Sequence, residues 1–231
     1  TIAIDLETQD PDLKSMGSGS VIGRGKVVCI ADADDGYSGY LPFDHEGGGN
    51  LEKSKVIQWF RDVCECPADK VFHNAMYDVC WLRSLGLKIN GQIVDTMIAA
   101  AIVDENQMRY DLNSCARRYL GQSKDEAALY AAAKDWGVDA KAEMYKLPAM
   151  YVGSYAEKDA ELTYKLWQEL KKEIEHQDIH NIWKLETELF PALVDMRFLG
   201  VRVNQEQAAN EKKTLVEQEK KLLHQEGLTT N

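Results

Sequence analysis

No apolar run in this 231-residue chain approaches the roughly 20 residues that a membrane-spanning helix needs, and its start lacks the basic-then-apolar layout of a secretory signal. These absences predict a soluble, cytoplasmic protein with no membrane partner. Positive charge is also short: 27 Lys and Arg stand against 38 Asp and Glu, for a net charge of −11. That balance argues against a general nucleic-acid coat, whose affinity comes from clustered Lys and Arg. It leaves room for an acidic protein that acts on DNA, provided the excess charge lies elsewhere or bound divalent metal offsets it locally. The five cysteines, Cys29, Cys64, Cys66, Cys80 and Cys115, are odd in number and scattered. Cys64 and Cys66 have no second pair at zinc-finger spacing, so reduced, mostly buried thiols are expected. An initiating methionine is missing as well: Thr1 leads at once into an apolar strand, which reads as a piece of a longer chain.

What is present is an ordinary globular composition, 45% hydrophobic and 28% charged, enough for one full core with a smaller appendage. In TIAIDLETQD, Ile2, Ile4 and Leu6 alternate with Ala3, Asp5 and Glu7, the pattern of a strand with one apolar face and one acidic face. DPDLKSMGSGSVIGRG reads as a loop, and KVVCIADA and GYSGYLPFD as two further strands of a meander. HEGGGN is a plain loop, since no GK[ST] follows it. Asn50 is placed to cap the next helix, in which Val56, Ile57 and Phe60 recur at helical spacing.

KVFHNA reads as a short strand entering a turn, and MYDVCWLRSLGL as a helix ending near Gly86. Asp95 suits the cap of an Ala-rich buried helix, and DLNSCARRYLG and DEAALYAAAKDWG each predict another. One or two helices follow over 148–175. The tail holds an amphipathic helix, an extended VRVN and a charged helix with a thin stripe at Leu215 and Leu222. An early sheet followed by helices and one more strand gives an α/β or α+β sheet with helices packed on it. A boundary falls near residue 178, dividing 1–177 from 178–231.

Asp5 and Glu7, two apart on one strand face, lie roughly 6 to 7 Å from each other. Carboxylates that close repel unless one is protonated or a cation lies between them. A solvated strand face is the plain alternative. Tyr155 and Asp159 are four apart and share a helix face in a partly apolar segment, and Asp78 leads into an apolar helix behind His73 and Asn74. Each aspartate alone suits a cap or a surface charge. Together they form a more specific pattern.

DLET at 5–8, HNAMYD at 73–78 and YAEKD at 155–159 resemble the three exonuclease motifs of the DEDD superfamily, in the subgroup whose third motif is Tyr-x-x-x-Asp. Relatives that use histidine place it five residues before the last aspartate, where this chain has Ser154. VDTMIAAAIVDENQMRYDLNSCARRYLG is similar to the stretch between motifs two and three in the proofreading domain of bacterial and phage family A, Klenow-type DNA polymerases. LETELFPALVDMRFLGVRVN is similar to their passage from exonuclease to polymerase domain. The polymerase motifs themselves are absent from these 231 residues.

The resemblance implies a ribonuclease H-like mixed sheet over 1–177, with 178–231 the helical start of the polymerase region. It implies two Mg²⁺ or Mn²⁺ ions held by Asp5, Glu7, Asp78 and Asp159, with Asp5 bridging them. Glu7 and Asp159 would hold the ion that activates water, and Asp78 would help to hold the second, partly through water. Tyr155 would aim the attacking water, since a phenol with a pKa of about 10 is a poor base. Thr8 and Asn74 would contact the terminal nucleotide or brace the site. The implied activity is removal of nucleoside monophosphates from single-stranded or frayed DNA 3′ ends, by a monomer whose further partner is the remainder of the polymerase. A stand-alone ribonuclease D-like enzyme and an inactive DNA-binding domain are the alternatives. His73 is expected to pack or brace rather than bind metal, Arg117 and Arg118 to sit on a solvated face, and Trp59, Trp81, Trp136 and Trp167 to lie in the core.

Overall fold

The computed structural model describes residues 1–225. Strand β1 (Ile2–Gln9) pairs with β2 (Lys26–Asp34) antiparallel, and β2 with β3 (Tyr37–Pro42) likewise, giving the expected meander. On its other side β1 pairs parallel with β4 (Lys70–Phe72), which pairs parallel with β5 (Ile93–Asp95). The resulting order, β3-β2-β1-β4-β5, puts the acidic strand at the centre of a mixed sheet. A register shift between Glu7 and Thr8 marks a bulge beside the acidic pair, a device that re-aims side chains at strand ends.

The helices are α1 (Leu13–Met16), α2 (Gly19–Ile22), α3 (Lys53–Glu65), α4 (Ala75–Ser84), α5 (Thr96–Val103), α6 (Leu112–Leu120), α7 (Ala127–Trp136), α8 (Gly153–His176), α9 (His180–Leu199) and α10 (Gln205–Gln225). The longest, α8, crosses the sheet and packs on β1, β2 and β3, with α5 and α6 against it. Small residues permit this approach: Ala3, Ala31 and Ala33 of the sheet share a buried cluster with Ala156 and Ala160 of α8. Leu162, Leu166 and Leu170 carry the same face onward, all fully buried.

Four expectations need correction. Two strands, β4 and β5, join the sheet after the meander where one was expected, because Ile93–Asp95 pairs with β4 before α5 begins. The loop after β1 contains the two one-turn helices α1 and α2. Asn50 does not cap α3, which starts behind Glu52; instead its side chain accepts from the His45 N–H and donates to the His45 carbonyl, both at 2.8 Å, closing the glycine loop. Trp81 and Trp167 are core residues, but Trp59 and Trp136 are 40% and 50% exposed. Trp59 lies beside the stripe of Val56, Phe60 and Cys64 that α3 buries, and Trp136 is the last residue of α7. All five cysteines are free, and only Cys66 is not buried.

The chain divides into two compact units, Thr1–Asp195 and a second that begins at Met196. The first holds the sheet, and its burial extends to Phe190 and Val194. In the second, α10 buries none of its residues. No helix among the described residues is long and apolar enough to cross a membrane.

Candidate active site

Because α8 lies close on β1, its first turns meet the acidic strand face. Asp5, Glu7 and Asp159 each offer a carboxylate oxygen, and these oxygens lie within 4.8 Å of one another. No other group of three acidic, histidine or cysteine side chains converges so closely among the described residues. Tyr155, one turn before Asp159, is buried at 8% exposure, and Asp159 at 3%.

Asp78 reaches β1 from α4 and accepts the Leu6 backbone N–H at 3.2 Å through Oδ1. It stands outside the three-oxygen group, yet Asp5 is the neighbouring charge that acts on it most. Its helix starts from an αL residue, Asn74, at φ 67° and ψ 51°. The Asn74 side chain makes no capping bond and the residue is exposed; its backbone N–H is held by Asp95 Oδ1 at 3.0 Å. Asp95 also accepts from Ala75 at 2.8 Å and from Met97 at 2.9 Å, so it caps α5, as expected, and ties the start of α4 to it. His73 braces the same turn through Thr96 Oγ1 at 2.9 Å and the Tyr110 carbonyl at 2.8 Å, and burial pushes its pKa down to about 4. Of the two arginines, Arg118 pairs with Asp104 at the surface.

The electrostatics follow from crowding acids in a partly dry place. Burial first, then Asp159, pushes Asp5 up to about 7, against the pull of Lys124 and Lys141. Burial, then Asp5 and Asp159, holds Glu7 well above the usual carboxylate range. Burial, then Asp5, does the same to Asp78, and burial raises Asp159 in spite of Lys124. Tyr155 is driven upward by burial and by Glu7, Asp159 and Asp5, which rules it out as a base near neutral pH.

Thr8 faces a different neighbour. Its Oγ1 lies 2.6 Å from Tyr77 Oη, which also donates to Asp10 Oδ2 at 3.2 Å. These residues line an open cavity of about 480 Å³ together with Lys14, Tyr130 and Lys141. The Lys141 ammonium donates to Tyr155 Oη at 3.0 Å, and Lys124 forms an ion pair with Asp159 Oδ2. Sequence pattern does not single out Tyr77, Tyr130, Lys124 or Lys141. Tyr77 sits inside the second motif, which is its available signal; the lysines, in a chain with 27 basic residues, have none.

A mixed sheet with an acidic central strand and a Tyr-x-x-x-Asp helix laid across it defines the ribonuclease H-like exonuclease class. The chain belongs to the 3′–5′ exonuclease family of the family A DNA polymerases, whose domain model matches residues 1–175. It is similar to the DNA-directed DNA polymerase of Pseudomonas phage M6, 38% identical over 210 residues that cover 88% of this chain and 31% of that protein. The chain therefore spans about a third of that relative's length. Among solved structures it resembles the POL domain of Pol1 from M. smegmatis in complex with DNA primer-template and dNTP, with TM-score 0.63, 16% identity, and coverage of 100% of this chain and 34% of that one. It also resembles Brucella melitensis NrnC with bound Mg²⁺, with TM-score 0.59, 16% identity, and coverage of 86% and 85%. These two structural likenesses establish the fold.

Proposed function

We propose that this chain removes nucleoside monophosphates one at a time from DNA 3′ ends in a reaction that depends on two divalent ions, as the proofreading part of a family A polymerase. The observation that carries the reading is the convergence of Asp5, Glu7 and Asp159 within 4.8 Å at the foot of Tyr155. The donor set fits the ions: every ligand is a hard carboxylate oxygen, suited to Mg²⁺ or Mn²⁺. Asp159 Oδ1 is buried with no hydrogen-bond partner, so its lone pairs are available to a cation. Asp5, Glu7 and Asp159 would hold one ion, and Asp5 with Asp78 the other. Such a pair lowers the pKa of an attacking water and stabilises charge on both the attacking and leaving oxygens.

The chain's own groups supply the rest. Tyr155 Oη, held by Lys141, is placed to orient the water by hydrogen bonding. The terminal nucleoside enters the cavity between Thr8, Tyr77 and Tyr130, with Lys14 and Lys141 as cations for its phosphates. Asn74 contributes through the αL turn that aims α4. An open cavity of about 480 Å³ admits an unpaired end more readily than a duplex. That preference would make a frayed mismatch the better substrate. Attack of water on the terminal phosphodiester breaks its bond to the preceding 3′ oxygen, leaving a new 3′ hydroxyl and a 5′-monophosphate.

The phage and bacterial relatives support an intracellular site of action, and the match ending at residue 175 supports an exonuclease domain over 1–177 with the polymerase region starting in 178–231. The test is digestion of a 5′-labelled single-stranded DNA with Mg²⁺ or Mn²⁺, with a matched RNA alongside. A ladder shortening from the 3′ end, abolished by chelator and weaker on RNA, is expected. Strong RNA preference would point to the ribonuclease D-like reading, and an intact end with either metal to a domain without catalysis.

A further inference from the structure

The cluster of carboxylates already holds a cation of its own. Lys124 pairs with Asp159 Oδ2, and the two side chains are only 14% and 5% exposed. Its ammonium lies 5.2 Å from the centre of the Tyr155 ring and is the strongest opposing charge on Asp5, Glu7 and Asp159. An ion pair this sheltered is unlike a surface one, because removing either partner strands a charge out of water. Asp159 thus gives one oxygen to the lysine and keeps the other without a partner.

A divalent ion and the ammonium draw on the same carboxylate. Lys124 is a flexible side chain on a fixed backbone. Its backbone is anchored, the N–H donating to Asn113 Oδ1 at 3.1 Å, so only the flexible four-carbon stem has to swing. Lys141 offers the contrast: its ammonium bonds Tyr155 Oη and Glu126 Oε1, and no carboxylate of the cluster.

We propose that Lys124 is a tethered counter-ion of Asp159 that yields to the divalent ion, so that this lysine neutralises the metal-free site and sets its metal affinity. This rests on the metal-dependent reading above. Apparent affinity is the intrinsic affinity multiplied by the fraction of molecules with Asp159 free, so a lysine in place nine-tenths of the time weakens binding about tenfold.

The test is calorimetric titration of the metal-stripped 231-residue chain with MnCl₂, comparing the parent, Lys124→Gln and Lys141→Gln. Lys124→Gln is expected to bind Mn²⁺ about tenfold or more tightly than the parent, with Lys141→Gln tightening it much less, since Lys141 is the weaker of the two opposing charges on the cluster. Metal-free Lys124→Gln should also melt at lower temperature and gain more from Mn²⁺ than the parent. In the parent itself, labelling of Lys124 by an amine-reactive reagent, read by mass spectrometry, should rise when Mn²⁺ is added, a readout that needs no variant to fold. Equal Mn²⁺ affinity in the parent and Lys124→Gln, equal tightening in both lysine variants, or labelling indifferent to Mn²⁺ would overturn the proposal alone. Failure of parent and Lys124→Gln alike to take up Mn²⁺ would overturn both it and the metal-dependent reading.

Discussion

Asp95 Oδ1 accepts the backbone N–H of Asn74 at 3.0 Å. Through this bond a buried carboxylate on β5 fixes an αL turn on another element, and that turn launches the helix that carries Asp78 to β1. Asp95→Ala leaves the Asn74 and Ala75 N–H groups without their acceptor, the second of them buried. The expected cost is about 1–3 kcal/mol, measured by urea denaturation. Nuclease activity should fall further than this stability loss explains, because Asp78 loses its aim, and Asp95→Asn, which keeps an acceptor, should recover part of both.

Tyr155→Phe removes the hydroxyl that Lys141 holds while keeping the buried ring. A loss of water positioning of this kind is expected to lower kcat about tenfold to a hundredfold. Mn²⁺ affinity should be unchanged, since the carboxylates remain. An unaltered kcat in single-turnover digestion would remove Tyr155 from the chemistry.

Much of this is legible in the sequence, for reasons that can be stated residue by residue. The alternation of Ile2 to Glu7 identifies β1 because a half-buried strand has a strict period of two. The spacing of Tyr155 and Asp159 identifies their shared face because an α-helix repeats at 3.6. What escapes depends on contacts made by the finished fold. Strand β5 has three residues and runs straight into α5, so Ile93–Asp95 reads as a helix approach. Asn50 has the chemistry of a cap, but the glycine loop turns it back on His45. Lys124 and Lys141 enter the site from the stretch between the second and third motifs, outside both, and a lone lysine has no periodicity to betray it.

Tyr130 forms an aromatic wall of the cavity and is 49% exposed, with the Lys141 ammonium 6.0 Å from its ring centre. Base stacking on such a ring contributes about 1–3 kcal/mol. Tyr130→Ala is therefore expected to raise KM for single-stranded DNA roughly tenfold, with kcat much less affected. Steady-state digestion with varied oligonucleotide concentration separates the two.

The acidic cluster also sets a pH dependence. A carboxylate whose folded pKa is raised binds its proton more tightly in the folded state, so its stabilising contribution is complete below the unfolded pKa, declines between the two values and is gone once pH has risen through the folded pKa. Burial and Asp159 place that point at about 7 for Asp5, and Glu7 is raised as well. His73, lowered to about 4, acts with the opposite sign, and its effect is complete above its unfolded value of about 6.5. The melting temperature of the metal-free chain should therefore decline from about pH 6.5 to 8, and saturating Mn²⁺ should flatten the decline. A rise through that window, or a slope blind to Mn²⁺, contradicts the assignment.

The most direct test of the central claim is to measure activity and stability together on Asp5→Asn. The substitution keeps the shape of the side chain and removes one of the charges crowded beside Glu7 and Asp159. If the cluster exists to hold catalytic cations, 3′-end digestion should fall by about three orders of magnitude, the scale of several kcal/mol of lost charge stabilisation. Metal-free melting temperature should stay level or rise, because repulsion is relieved. Digestion retained near the parent's rate would show that the acids are not the nuclease centre.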